Sequence, residues 1–451
     1  MYRKLRLGVW FLHTFLKRYF LVLSGGIVLG VAVFGLVPLL TRSLSIIRPT
    51  QNIGLVGRHT LTTLPKVVES KLSIGLTTVD SSGVISPGLA DSWEISEDGK
   101  SYTFSINPSF TWHDRASIKS EDIGYNFKDA AVEYSDSTHL TIRLSDPFSP
   151  LPAVVSAPVL KKTKSPTKLI GVGSYQVTRF RRNGQILESI TLTPADTTSS
   201  RPKINYLFYP TQAQAITAFK LGIVDQLEDI TDPGELATWP TAVLDKRPQS
   251  DRYVAVFFNL TDPLFAGSSG EDLRLALSYA TDKSRFDSAL RAISPIAATS
   301  WAFNPEVKKY DHDLTRAQEL LKRTEKLPEN ITLSVVQAYL EVGEEIKKDW
   351  EELGLKVNLQ ISPDIPETFQ ALIVAQSIPV DPDQYHLWHS TQGTNLTHLN
   401  NPRIDKLLED GRKTLDLKDR KKIYADFQRY LLEEAPAIFL FHPETYTITR
   451  K

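Results

Sequence analysis

From Tyr19 to Leu40 the chain reads YFLVLSGGIVLGVAVFGLVPLL, a stretch of 22 residues without one charge. About 20 residues of helix cross a bilayer's hydrocarbon core, so the run has the length of a membrane span. Arg3, Lys4, Arg6, Lys17 and Arg18 precede it, only Arg42 and Arg48 follow closely, and no acid occurs before residue 49. This asymmetry puts the N-terminus in the cytoplasm and everything after the span outside. A cleaved signal peptide is the competing reading. Its apolar core is shorter as a rule, and the TRSLSIIRP that follows Leu40 offers no small-x-small cleavage site. A buried core helix fits less well, because the run is apolar on every side. The expected organisation is a basic cytoplasmic segment (1–18), one transmembrane helix (19–40), a linker (41–53) and an extracytoplasmic remainder, single-pass in the cell membrane.

The charge distribution supports that division. The chain holds 52 basic and 52 acidic residues in 451. Residues 1–48 contribute seven bases and no acid, so residues 49–451 carry 45 bases against 52 acids. An acidic outer part argues against nucleic acid as a partner, which calls for a basic face. Cysteine is absent. Disulfides, thiolate-bound zinc or iron–sulfur sites, thiol nucleophiles and lipid anchors on cysteine are therefore excluded.

Beyond residue 54 the pattern is that of an α/β protein. Asp98-Gly99 separates Trp93–Ile95 from the alternating Tyr102–Ile106, a hairpin signal. His139–Leu144 alternates as a strand. Ser120-Glu121-Asp122 suits the first turn of a helix reaching about Ala131. Asp272–Ala280, Leu314–Arg323 and Val342–Leu353 have amphipathic spacing, and Gly354 stops the last before the alternating strand Leu355–Ile361. A further helix, Leu417–Glu434, leads into the apolar strand Ala437–Phe441. Helices alternating with strands pack on the faces of a sheet.

No phosphate loop, nucleophile elbow or H-E-x-x-H zinc motif occurs. His386 and His389, near Asp381 and Asp383, form one metal-like cluster, but they share a face only on a helix, and Pro382 and Gly393 favour a loop. A metal-dependent hydrolase built on these histidines is thus the weakest of the functional readings. The same stretch places Tyr385, Trp388, His386, His389, Ser390, Gln392 and Asn395 together, and aromatic walls beside a few fixed polar groups are what ligand clefts use. The competing reading is a loop packed over the sheet with Trp388 in the core.

Ile85 to Asp122 (ISPGLADSWEISEDGKSYTFSINPSFTWHDRASIKSED) resembles the N-terminal signature of the family 5 extracellular solute-binding proteins, the peptide-binding components of ABC importers. Gly171-Val172-Gly173-Ser174-Tyr175, Phe257-Phe258-Asn259, Leu273–Asp282, Asp381-Pro382-Asp383, Asn401–Asp405 and Glu434-Ala435-Pro436 follow in the family's order. The resemblance implies a two-lobed type II periplasmic-binding-protein fold, with a first lobe at 54–258, a second at 259–436 and a return segment at 437–451. It implies an extended peptide held in the interlobe cleft mainly through its backbone, lobe closure about a hinge, an ABC permease as partner, and neither catalysis nor a cofactor. The candidate ligand-binding residues are Tyr385, Trp388 and His389 as cleft wall, Asp381, Asp383 and Asn395 as shaping or bonding groups, Trp301 as a further wall, and Asn259 near the first lobe crossing.

Three positions depart from the family pattern. Ile378 stands three residues before Asp381-Pro382, where relatives that grip a free peptide amine carry an acid. Arg115 replaces the Gly that usually follows Trp-His-Asp. The return segment is short. With no cysteine to carry a lipid, the 19–40 helix takes over the tether. A peptide sensor or scaffold on the same fold is the alternative to transport, and nickel- and haem-binding relatives leave the ligand class open.

Overall fold

The computed structural model describes residues 10, 13–22, 24–26, 29–31 and 49–451, apart from 126, 166, 288–289 and 325–327. Residues 13–22, 24–26 and 29–31 are helical, with a bend of 49° between the first of these stretches and the rest. Among the described residues no single helix is long and apolar enough to cross a membrane. Residues 23, 27–28 and 32–40 of the expected span lie outside the described residues.

Among the described residues the rest is organised by sheets of seven, five and four strands, with a two-stranded pair, Thr77–Val79 and Ile85–Pro87. The first lobe is built on a seven-stranded sheet whose strands, edge to edge, are Ala242–Pro248, Glu444–Arg450, Gln226–Ile230, Thr50–Val56, Lys203–Tyr209, Ile186–Pro194 and Tyr175–Asn183. A four-stranded antiparallel sheet (Ala90–Ile95, Ser101–Ile106, His139–Leu144, Ala130–Tyr134) forms a unit beside it, closed over Tyr102, Phe104, Trp112, Leu140 and Ile142. Asp98-Gly99 turns the expected hairpin, with Gly99 at φ +68°. The expected helix from Ser120 does not continue. A single 3-10 turn spans Ser120–Asp122, and Ala130–Tyr134 is a strand paired with His139–Leu144. Asp122 accepts from Trp112 Nε1 at 3.1 Å, so its carboxylate fastens the turn to the core of this unit.

The second lobe is a five-stranded sheet in the order Val357–Ser362, Ile331–Val336, Ala371–Ser377, Arg252–Phe258, Ala437–Phe441. Arg252–Phe258 is its clearest piece of sequence logic. Val254, Val256 and Phe258 enter the layer beneath the helices Gly267–Ala280, Leu314–Leu321 and Leu340–Glu351. Tyr253, Ala255 and Phe257 enter the opposite layer under Pro402–Lys413 and Leu417–Glu434. A strand buried on both faces reads as an unbroken apolar run, as this one does. That strand was expected in the first lobe and Ala437–Phe441 in the return. Both pair inside the second-lobe sheet, which moves the crossings to the Pro248–Arg252 and Phe441–Glu444 links. The return is a full seven-residue strand, Glu444–Arg450, lying between two strands of the first-lobe sheet.

The first lobe's two units meet at Gly171 and Gly173. His113 N–H donates to Gly171 O (2.9 Å), its ring Nδ1 accepts from Gly171 N–H (3.2 Å), and Gly173 N–H donates to Leu72 O (2.8 Å). A Cβ on Gly171 would strike the Leu72 carbonyl. Gly171→Ala is therefore expected to cost about 1–3 kcal/mol through overpacking against backbone that cannot give way. Gly393→Ala, where nothing lies within 4 Å, should be near neutral in the same urea-unfolding comparison.

Candidate functional site

Away from the crossings, hydrogen bonds join the lobes at two places among the described residues. Trp301 N–H donates to Ser82 O at 2.9 Å, and its indole lies against Gly83. At the other contact, Ser149 N–H donates to Arg412 O at 2.7 Å and Ser149 Oγ to Gly411 O at 3.1 Å. Each contact has a cavity beside it. One, of about 290 Å³, is walled by the Asp80–Gly83 turn, Ser250 and Asp251 near the crossing, Ile296, Ala297 and the Ile378–Val380 segment. The other, of about 670 Å³, lies between Phe127, Phe148 and Leu151 of the small sheet unit and Tyr385, His386, Glu409 and Arg412 of the second lobe. The chain from Ile378 to His386 runs from one cavity to the other.

Two carboxylates hold that segment in place. Asp381 receives Arg420 Nη2 at 2.7 Å and Nη1 at 3.1 Å, and its Oδ1 accepts the Asp383 N–H at 3.0 Å. Both side chains of this pair are buried. Burial pushes the Asp381 carboxyl up from the usual range, and the Arg420 charge pulls against that rise. Arg420 Nε also donates to Gly411 O at 3.0 Å, so one guanidinium joins the cleft segment to the end of the Pro402–Lys413 helix. Asp383 is gripped by Arg412 through Nε (2.9 Å) and Nη2 (2.8 Å). Arg412 in turn lies over the Tyr385 ring at 3.9 Å, and His389 stacks on Tyr385 at 4.1 Å between centroids. Charge-assisted, bidentate pairs of this kind fix geometry as well as adding energy.

The structure disperses the residues singled out from the sequence. Tyr385 and its neighbour His386 line the larger cavity. Trp301 stands at the contact beside the smaller one, over Arg420 and edge-on to Tyr424. Asp381 and Asp383 spend their oxygens on arginines and backbone. His389 lies buried beneath Tyr385, with Nδ1 at 2.9 Å from Thr391 Oγ1. Trp388, 1% exposed, packs between Phe257 and Phe439 in the second-lobe core. Asn395 is buried too, its amide donating to Leu399 O at 3.0 Å and its oxygen accepting from Thr397. Asn259 closes the turn after its strand, donating to Phe369 O (3.0 Å) and accepting from Thr261. Trp388, the last residue of the short helix Tyr385–Trp388, falls on that helix's buried side, while the buried Asn395 amide and the part-buried Asn259 amide find main-chain partners.

Arg412 and Arg420 are not among the residues the sequence singles out. A signal was present for Arg420, which occupies the apolar stripe Arg420, Tyr424, Phe427, Leu431 of its helix. A base in a buried stripe asks for a buried acid. Among the described residues no group of three or more His, Asp or Glu side chains is placed to hold a metal ion.

A two-lobed α/β chain with cavities at its lobe junction has the architecture of a solute-binding protein. The pattern of the bacterial extracellular solute-binding proteins, family 5, matches residues 84–397, and the chain belongs to that family. The dipeptide-binding protein of Escherichia coli is 22% identical over 448 aligned residues, covering 81% of this chain and 82% of that protein. Among solved structures, the ABC transporter substrate-binding protein CtaP of Listeria monocytogenes superposes with a TM-score of 0.75 at 19% identity, over 89% of this chain and 94% of its own. NikZ of Campylobacter jejuni, in complex with Ni(L-His), gives 0.70 at 20% identity over the same shares.

Removing one member of the buried Asp381–Arg420 pair strands the other charge, which typically costs about 3–5 kcal/mol. Asp381→Asn and Arg420→Met should each lose that much in urea unfolding. The double change Asp381→Leu with Arg420→Met should recover most of the loss. A single-site loss below about 1 kcal/mol would show that the pair does not hold the segment.

Proposed function

We propose that this protein captures peptides, or similarly extended solutes, between its lobes and presents them to an ABC permease, tethered by the 19–40 segment with its binding part outside the cell. The observation that carries the reading is the smaller interlobe cavity, whose walls come from both lobes and from next to a crossing. A ligand seated there touches both lobes at once, so its binding energy favours the closed arrangement. The names of relatives support the peptide class, whereas NikZ, solved with a nickel–histidine complex, supports a small chelate as the competing ligand. The uncharged run Tyr19–Leu40 and its basic flanks support the tether.

The cavity's chemistry narrows the ligand further. Ile378, Val380, Pro382 and Ile296 make an apolar wall. Of the acids at its edge, Asp80 already accepts from Ser82 N–H, Ser82 Oγ and Val84 N–H, while Asp251 faces Arg252 at 3.6 Å. Lys66 supplies a cation. This arrangement suits a ligand end that is neutral or anionic better than a free ammonium.

A thermal-shift screen of the full chain in detergent, against oligopeptides and Ni(L-His), tests both ideas. A peptide at 100 times its Kd adds about 2.7 kcal/mol to stability. Stabilisation by peptides is expected, and acetylating the N-terminus of a bound peptide should change affinity by less than tenfold, about 1.4 kcal/mol. Stabilisation by the nickel chelate alone would replace the peptide reading. A larger loss on acetylation would place an amine-gripping group in the cavity.

A further inference from the structure

We infer that the end of the first lobe nearest the N-terminal apolar segment is a bilayer-contacting foot. Leu221 and Ile223 are its apolar toes, and Arg201, Lys203 and Lys451 are its contacts for anionic headgroups. The inference rests on the tether proposed above and adds a lipid surface on the folded domain itself.

Strand register defines this end. Thr50 begins the first described strand and pairs in parallel with Lys203, while Ile53 pairs in parallel with Gln226. Thr449, near the C-terminus, pairs with Gln226, and Ala242 with Arg450. The segments just before Lys203, just before Gln226 and just after Arg450 therefore emerge at one pole, where the chain arrives from residue 49. Hydrogen bonds tie them together: Lys203 N–H to Pro49 O, Asp225 N–H to Asn52 O, Arg450 N–H to Asp225 O and Lys451 N–H to Thr241 O. Both lobe crossings leave from the opposite pole, at Pro248 and Glu444, a strand length of about 23 Å away.

Leu221 is 70% exposed and Ile223 49% exposed at this pole. The fold does not require either to be apolar. The helix Gln212–Lys220 ends with Gly222 at φ +72°, Gly222 N–H bonded to Phe219 O and Ile223 N–H to Ala218 O. In such a helix ending the glycine is the demanding position, and its large apolar neighbour normally folds back onto the helix. Here Ile223 stays half exposed. The Arg450 guanidinium donates to Phe219 O and lies over the Phe219 ring at 4.7 Å, which fixes the direction of the loop. Trp239 stands alongside, under Lys220 at 5.8 Å. Apolar side chains beside a tryptophan and flanked by bases are the composition of a membrane interface. The acids at this end are already engaged: Glu235 with Lys220, Asp225 with Asn52 and Asp196 with Thr198.

Chain length favours lipid as the occupant. Nine residues separate Leu40 from Thr50, and they include Arg42 and Arg48. Even fully extended, nine residues reach at most about 30 Å. The pole is thereby held at high effective concentration against the bilayer, so a weak apolar and electrostatic contact is enough to dock it. Docking would turn the lobe crossings away from the membrane.

The absence of cysteine makes the test direct. Leu221→Cys and, in separate chains, Ile223→Cys and Ile361→Cys are labelled with an environment-sensitive fluorophore in the full chain. Each is reconstituted in phosphatidylcholine vesicles with or without phosphatidylglycerol. Ile361, on the edge strand of the second lobe and 50% exposed, is the reference. Labels at 221 and 223 should shift to the blue and be quenched by headgroup-proximal nitroxide lipids, more strongly with phosphatidylglycerol and less in high salt. The label at 361 should report water. Water-like emission at 221 and 223 in vesicles that retain the chain through an alkaline wash overturns the foot while leaving the tether intact. A blue shift that nitroxide lipids do not quench overturns it in favour of cover by the linker or by protein. Release of the chain by the alkaline wash overturns the tether, and the foot with it.

Discussion

The buried meeting of Asp381 with Arg420 is the constraint around which the cleft is built. The segment that connects the two interlobe cavities is short, irregular and rich in proline, so its own backbone gives it little reason to keep one shape. Its fixed position comes from two carboxylates clamped by two arginines on neighbouring helices, one clamp on each side of Pro382. Arg420 also reaches Gly411 O, and the adjacent Arg412 O accepts from Ser149 of the first lobe. The same few groups thus position the second-lobe wall and the contact that closes the lobes. Disturbing this pair should be felt at the lobe junction as well as in stability.

Ionic residues near a cleft are easily taken for ligand groups. Here the charges at the centre are satisfied within the protein; Arg412 and His389 cover the Tyr385 ring, and the interlobe cavities are otherwise lined by the rim of that ring, the apolar wall around Ile378 and the backbone turn at Asp80–Gly83. Such a surface suits recognition by shape and main-chain contact more than by a decisive side-chain salt bridge. That is consistent with a family whose members, at this level of identity, are named for dipeptides and, in another case, solved with a nickel chelate.

Much of the fold was legible in the chain. The Leu417–Glu434 helix and the strands His139–Leu144 and Ala437–Phe441 have the boundaries that periodicity and flanking residues indicate. The segment after Ser120 differs from its pattern: its acids look like a helix start, but Asp122 is claimed by Trp112, ten residues earlier. Lobe boundaries were also misplaced by one strand at each crossing. An apolar strand such as Arg252–Phe258 says that both of its faces are covered, but not which sheet covers them. At the site, Tyr385 and Trp301 were found at the lobe junction, whereas Trp388, Asn395 and Asn259 went to core or turn. Composition shows that a stretch is rich in recognition chemistry and is silent about which way each side chain points.

By itself the sequence determined the class of the protein: an α/β chain with the ordered markers of one family, no thiol chemistry, and an uncharged run with basic flanks ahead of an acidic body. These follow from local properties such as periodicity, charge and residue type, which survive without coordinates. Tertiary structure alone decided which charges are spent. Arg412 and Arg420 lie 29 and 39 residues from the acids they neutralise, and pairing over such distances depends on how helices dock against a sheet. It likewise decided that the Leu221–Ile223 loop, Arg201 and Lys451 share the pole where the chain enters the domain, since parallel register, not proximity in sequence, brings them there.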